Sequence, residues 1–303
     1  MAAETTTTLS NELMTFYSSK FIERAKNILV HAQGFQRSTH GKYSGKVMRM
    51  NRYTALSVAS TALTEGTNPT EVSISSSTVD VTLAEYGTTV KVAKLLSLTT
   101  IDREGQEKVE LIGQNMGETL DDLARTALYG GATAQLAGAK SALTDVAATD
   151  TFDADEVRKA VRTLKVNKAL RYADGYFLGK VGPYSSYDLM GDSTWVNAHT
   201  YKDGAELYKG EIGRLHGVRF IETNYQKSES STVTVYSNFI HGDKAVGEYN
   251  LEGDMPKLYI KVPTASDTSN PADRYSTLAW AGVYAAKVLV STWCLNVKSG
   301  ATS

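Results

Sequence analysis

GQNMGETLDDLARTALYGG, residues 113–131, is the stretch on which the reading of the fold turns. Extended back to Asp102, it places apolar side chains at Val109, Ile112, Met116, Leu120, Leu123 and Ala127, in steps of 3, 4, 4, 3 and 4. That spacing is one stripe on an α-helix at ~3.6 residues per turn. Asp102 is placed to cap the start, and Gly130-Gly131 is read as the stop. A helix over 102–129 is long for a globular domain and is expected to act as a spine. On its polar side Glu118, Asp121 and Asp122 stand at i, i+3 and i+4, with Arg125 four residues after Asp121. Neighbouring carboxylates can do acid–base work, but an Asp121–Arg125 pair on a solvated or interface face is the simpler reading.

Upstream, residues 46–93 read as a long hairpin. The outgoing limb KVMRMNRYTALSV alternates Met48 and Met50 with Arg49 and Asn51, and the turn TEGTNPTE holds Gly66, Asn68 and Pro69. On the return limb Val79, Val81 and Leu83 share a face, whereas Val90 and Val92 lie on the other, so a bulge or hinge is expected at Gly87. A hairpin this polar cannot bury a face alone and needs a partner. Before it, residues 9–30 read as a short amphipathic helix and 31–45 as an extended arm.

Downstream, 132–150 is loop-like. A helix then starts with Asp153 as N-cap, Glu156 at N3, a Phe152–Val157 staple, and a stripe of Val157, Ala160, Val161 and Leu164. Strands are expected at 175–181, on both sides of a turn near Gly217, at 232–241, at 257–262 and across 275–297, with a short helix from Pro183 and a polar loop over 264–273. The order of elements defines an α+β chain.

Thirty-two basic and 33 acidic residues leave a formal charge of -1, against nucleic-acid wrapping by bulk charge. One cysteine, Cys294, excludes an internal disulfide, and its apolar neighbours make it a buried thiol. The start shows no signal-peptide pattern, which points to a reducing cytoplasm. Residues 278–297 are apolar but carry Lys287 at the centre, which argues for buried strand over a membrane span. The five histidines are scattered and read as surface or turn residues, without metal-ligand spacing. GKYSGKV at 41–47 lacks the spacing and the Ser/Thr of a phosphate loop. No nucleophile elbow or dinucleotide fingerprint is present, so neither a catalytic residue nor a cofactor is assigned. Seventeen tyrosines against seven phenylalanines suit a protein rich in interfaces.

Four stretches carry a resemblance: KYSGKVMRMNRYTALS (42–57), ALTEGTNP (62–69), GQNMGETLDDLARTALYGG (113–131) and YKGEIGRLHGVRFIETN (208–224). Together they resemble the HK97-type major capsid proteins of tailed bacteriophages, and within these the family of the N4-like podophages. The resemblance implies an N-arm over 1–40 and an E-loop hairpin over 41–101. It implies a P-domain spine and following loop over 102–150, an A-domain mainly over 151–260, and C-terminal strands over 261–303 that complete both sheets.

It further implies a structural, non-enzymatic protein that self-assembles into hexamers and pentamers. These would close an icosahedral shell around double-stranded DNA, with assembly in the host bacterial cytoplasm and no membrane association. Two departures from well-known members stand out. No lysine lies between Lys46 and Lys91, so covalent cross-linking through the hairpin tip is not expected. The hairpin begins near residue 41, so a scaffolding protein is expected to be separate, alongside a portal and a decoration protein. Arg49, Arg52, Glu65, Gly66, Asp121, Asp122 and Arg219 are the expected inter-subunit contacts, with Arg49 and Arg52 facing a neighbour's Asp121 or Asp122. Competing readings are an encapsulin-like or other virion shell or tail component, and an α/β enzyme.

Overall fold

The computed structural model describes residues 21–22, 28–53, 56–63, 65–69, 71–94, 104–195, 211–261 and 270–302. The Asp102 cap, most of the expected helix at 9–30 and most of the loop at 264–273 lie outside them.

The spine forms as one helix, α1 (Glu104–Gly131). Val109, Ile112, Met116 and Leu120 are buried as expected, but the stripe continues through Ala124 and Leu128 instead of Leu123 and Ala127. The helix ends at the glycine pair, with both glycines in its last turn. At Gly131 a Cβ would fall 2.5 Å from Val288 Cβ, so the glycine lets the last turn press against a strand.

That strand, β13 (Tyr275–Val288), organises the first sheet. It pairs with β4 (Ala84–Ala93) along one edge, and with β11 (Val246–Leu251) and β12 (Lys257–Lys261) end to end along the other. β1 (Gln36–His40) extends this sheet in parallel to β11. Leu278, Trp280, Gly282 and Tyr284 alternate inward on β13, as expected for a strand with one buried face. Trp280 Nε1 donates to Asn115 Oδ1 of α1 at 3.0 Å, satisfying the indole in the core.

The second sheet runs β5 (Thr133–Leu136), β14 (Cys294–Ser299), β10 (Thr234–His241), β6 (Phe177–Val181), β8 (Val218–Glu222), β7 (Glu211–Leu215), with β9 (Ser228–Ser230) on β10. Against it pack α2 (Ala154–Val166) and α3 (Pro183–Gly191). The α2 start follows its local code. Asp153 Oδ1 accepts from Glu156 N at 2.8 Å, and Val157, Ala160, Val161 and Leu164 are all buried. Glu156 does not return to the cap; its buried carboxylate accepts from Gln135 Nε2 at 3.0 Å and from Lys159 Nζ at 2.7 Å. The turn between β7 and β8 forms at His216 and Gly217, both in the left-handed region. The strand or strand pair expected across 275–297 forms as two strands in two different sheets, split by a single helical turn at Ser291–Trp293.

The hairpin consists of β2 (Val47–Tyr53) paired antiparallel with β3 (Ser76–Thr82). Its root does not wait for another chain. Met48, Met50, Val81 and Leu83 pack with Tyr249 and Leu251 of the first sheet. The phase slip falls at Leu83, between β3 and β4, and not at Gly87. Gly87 sits in unbroken register opposite Ala281, so it is neither a bulge nor a break in pairing. Its role is close approach: a Cβ there would stand 2.5 Å from the Trp280 carbonyl oxygen. Overpacking of that kind typically costs ~1–3 kcal/mol. Gly87→Val is therefore expected to destabilise the subunit by about 2 kcal/mol, read as a lower urea midpoint at unchanged slope. An unchanged midpoint would mean that β13 yields at no cost.

Candidate assembly interface

The hairpin leaves the body as a paired limb and ends in an irregular tip. Arg49 on β2 makes two bonds to Asp80 on β3, Nε–Oδ1 at 2.8 Å and Nη2–Oδ2 at 2.9 Å. The guanidinium holds the Asp80 carboxyl below its usual range. This fork ties the two strands to each other on the exposed face, so Arg49 is occupied within its own hairpin. Arg52 is exposed and makes no ion pair among the described residues. No strand forms among the described residues of 54–75. Glu65 and Gly66 lie there, exposed, with Gly66 in the left-handed region at φ 80°.

Among its polar residues the tip exposes five large aliphatic side chains. Leu56, Leu63, Val72 and Ile74 are each more than half exposed, and Val58 is 87% exposed. Large aliphatic side chains exposed along one segment are the kind of surface that partners cover. The charged residues singled out from the sequence missed this group. The signal was in the sequence, as unpaired apolar residues inside a segment with no strand or helix period.

The acidic trio on α1 does not form one face. Glu118 accepts from Gln114 Nε2 at 2.7 Å and from the Tyr225 hydroxyl at 2.8 Å. Asp122 is exposed and pairs with Arg125, displacing the Asp121–Arg125 pair expected from spacing. Asp121 points inward and is 1% exposed. Its Oδ1 accepts from the amides of Val30 and His31 at 2.9 and 2.7 Å, and His31 Nδ1 lies 2.7 Å from Oδ2. A neighbour's arginine could reach Asp121 only by displacing His31. Arg219 on β8 pairs with Asp174 through Nη1–Oδ2 at 3.0 Å.

Asp121 belongs to a buried polar junction beneath the segment that leads into β1. Lys180 on β6 is 1% exposed; its ammonium donates to the His31 carbonyl and lies 4.4 Å from the centre of the Phe35 ring. His31 lies in a turn, as read, but is buried, and His241 is buried within β10, contrary to the reading of the histidines as surface or turn residues. Burial lowers the pKa of both, against the raising influence of Asp121 at His31. Burial also pulls Lys180 down to about 7 and pushes the Cys294 thiol up to about 12, so Cys294 is the buried thiol expected of it. Such a lysine stands at the cost of desolvating its charge.

Among the described residues no group of three or more His, Cys, Asp or Glu side chains could hold a metal ion. No helix among them is long and apolar enough to cross a membrane.

The fold is that of phage capsid proteins. The chain is similar to the capsid of Ralstonia phage GP4 with a TM-score of 0.69 and 12% identity, over 90% of this chain and 89% of that one. It is similar to the capsid asymmetric unit of cyanophage Pam1 with a TM-score of 0.67 and 18% identity, over 90% and 92% of the two chains. With the capsid of cyanophage P-SCSP1u the TM-score is 0.66 at 15% identity, over 90% and 89%. No family model matches the sequence, and comparison with curated proteins finds no match.

The buried lysine gives stability a pH dependence with a definite sign. Between about pH 7 and the ordinary lysine value of 10.5, the unfolded chain binds a proton at residue 180 that the folded chain lacks. That contribution therefore makes stability rise with pH across this window. Lys180→Met is expected to remove the rise and to be the more stable protein at pH 7, measured as the difference between the two urea midpoints from pH 6 to 10. Parallel curves for the two proteins would show that the ammonium is solvated in the folded state.

Proposed function

We propose that this chain is the major capsid protein of a tailed phage, of the N4-like podophage type. Copies associate as hexamers and pentamers that close an icosahedral head around double-stranded DNA. The observation that carries this reading is the projecting hairpin. Its root is packed on the chain's own first sheet, while its tip exposes five aliphatic side chains that no other described residue covers. An apolar tip of that kind is stable when it lies on another copy, and a patch that meets a different patch on the next copy generates rings. The fold shared with phage capsids at 90% coverage supports the same reading.

In this assignment β2, β3 and the intervening tip are the E-loop, and α1 with the β13 sheet is the P-domain. The α2, α3 and β10 layer is the A-domain, and β1 with the residues before it is the N-arm. Assembly would take place in the bacterial cytoplasm with a separate scaffolding protein, a portal and a decoration protein. Arg52, Glu65, Gly66, Asp122 and Arg219 remain as contact residues within this proposal, because each reaches the surface.

Purified protein viewed by negative-stain microscopy, alone and with its cognate scaffold, is expected to show closed shells or capsomer rings. Replacing Leu63, Val72 and Ile74 together by Ser should leave a folded subunit that no longer assembles. A wild-type protein that stays monomeric under every assembly condition would sink the reading.

A further inference from the structure

A groove of about 880 Å³ lies between the inner side of the hairpin and the body of the chain. Arg52 and Tyr53 form its hairpin wall, and Lys168, Leu170, Lys244 and Trp293 its body wall. Three of its lining side chains are cationic, beside neutral polar and apolar ones, and none of the described residues that line it is a carboxylate. None of the three cations makes an ion pair among the described residues, and all three are exposed. Lys168 and Lys244 both sit at positive φ, 55° and 57°, where a lysine is uncommon, so the backbone presents them from two tight turns. Leu170 and Tyr53 add exposed apolar surface beside the charges.

The segment between the two hairpin strands has the opposite character. Residues 54–75 hold two glutamates, Glu65 and Glu71, and no lysine or arginine. Leu63, Val72 and Ile74 flank these acids and are exposed with them. Acidic and aliphatic on one side thus corresponds to basic and aromatic on the other.

We infer that this groove is the receptor for the hairpin tip of a second copy of the chain. The inference rests on the capsid reading and names the partner surface within it. Aliphatic contact of Leu63, Val72 and Ile74 with Leu170, Tyr53 and Trp293 supplies the attraction. Glu65 and Glu71 facing Arg52, Lys168 and Lys244 set the register. Exposed ion pairs add little affinity individually, but a groove lined by one sign of charge steers and orients an acidic segment. A tip seated there also braces the outer end of the hairpin of the receiving copy, beyond the root that packs on its own sheet.

The test uses the full chain assembled from an equal mixture of Glu71→Cys and Lys244→Cys copies. The native Cys294 is buried, so it leaves the thiol chemistry to the two introduced positions. A short bis-maleimide should give a dimer joining one variant to the other, which only contact between copies can produce. In a second arm, Lys168→Glu with Lys244→Glu should lower particle yield at least tenfold, and adding Glu65→Lys with Glu71→Lys to the same chain should restore it. Normal particles with no mixed dimer overturn the groove assignment while leaving the capsid reading intact. Protection of Lys168 and Lys244 from acylation only in DNA-filled particles overturns it in favour of nucleic acid. If the wild-type chain forms no particle, the capsid reading fails first and the groove assignment falls with it.

Discussion

Six side chains of α1, from Val109 to Leu128, are buried along one continuous stripe, and that stripe meets two different sheets. The N-terminal part, Val109 to Leu120, lies on Val92, Leu278, Trp280 and Tyr284 of the first sheet. The C-terminal part, Ala124 and Leu128, lies against Phe239 and Cys294 of the second. A 28-residue helix is about 42 Å long at ~1.5 Å per residue, enough to span both layers as a single strut. The relative placement of the sheets therefore depends on the helix being unbroken from Val109 to Leu128. The connection from β13 to β14 crosses between the same two sheets, so the chain joins them a second time.

The elements that were legible in the sequence are those whose determinants are local. The α2 start follows from Asp153 and its own next few residues, and the β7–β8 turn from the His216-Gly217 pair. The α1 stripe was legible for its first four members, because those positions fit any straight helix on a flat sheet. Its drift to Ala124 and Leu128 reflects the change of packing partner, which no window of the sequence contains. Short strands were illegible for the same reason: β5 has four residues and β9 three, and each exists only because β14 or β10 offers an edge.

The candidate site divides along the same line. Arg49 and Asp122 are exposed and engaged with Asp80 and Arg125, partners that lie on the adjoining strand and one turn away. Asp121 looks identical to Asp122 in the sequence, yet it is buried because its partner is the backbone at Val30 and His31, 91 and 90 residues away. Gly87 has no bulge at the position where the alternation shifts; it is a point of close approach to the Trp280 carbonyl. An i, i+2 pattern reports where a phase breaks, and it is silent on how closely a neighbouring carbonyl approaches. The aliphatic residues of the tip follow no helix or strand period, so no local pattern in the sequence marks them.

The bonds between Arg49 and Asp80 have an effect at the scale of the whole hairpin. With those two charges cancelled within the paired limb, the uncancelled charge of the excursion collects at two separate places. Arg52 stands where the paired strands end, and Glu65 and Glu71 stand beyond it in the tip. The hairpin is thereby an electric dipole with its negative pole outward. Two such arms repel when they meet pole to like pole and attract when they follow one another in the same rotational sense. Any approach of two copies is thereby biased toward root-to-tip contact by the charges of two strands, before shape complementarity is felt.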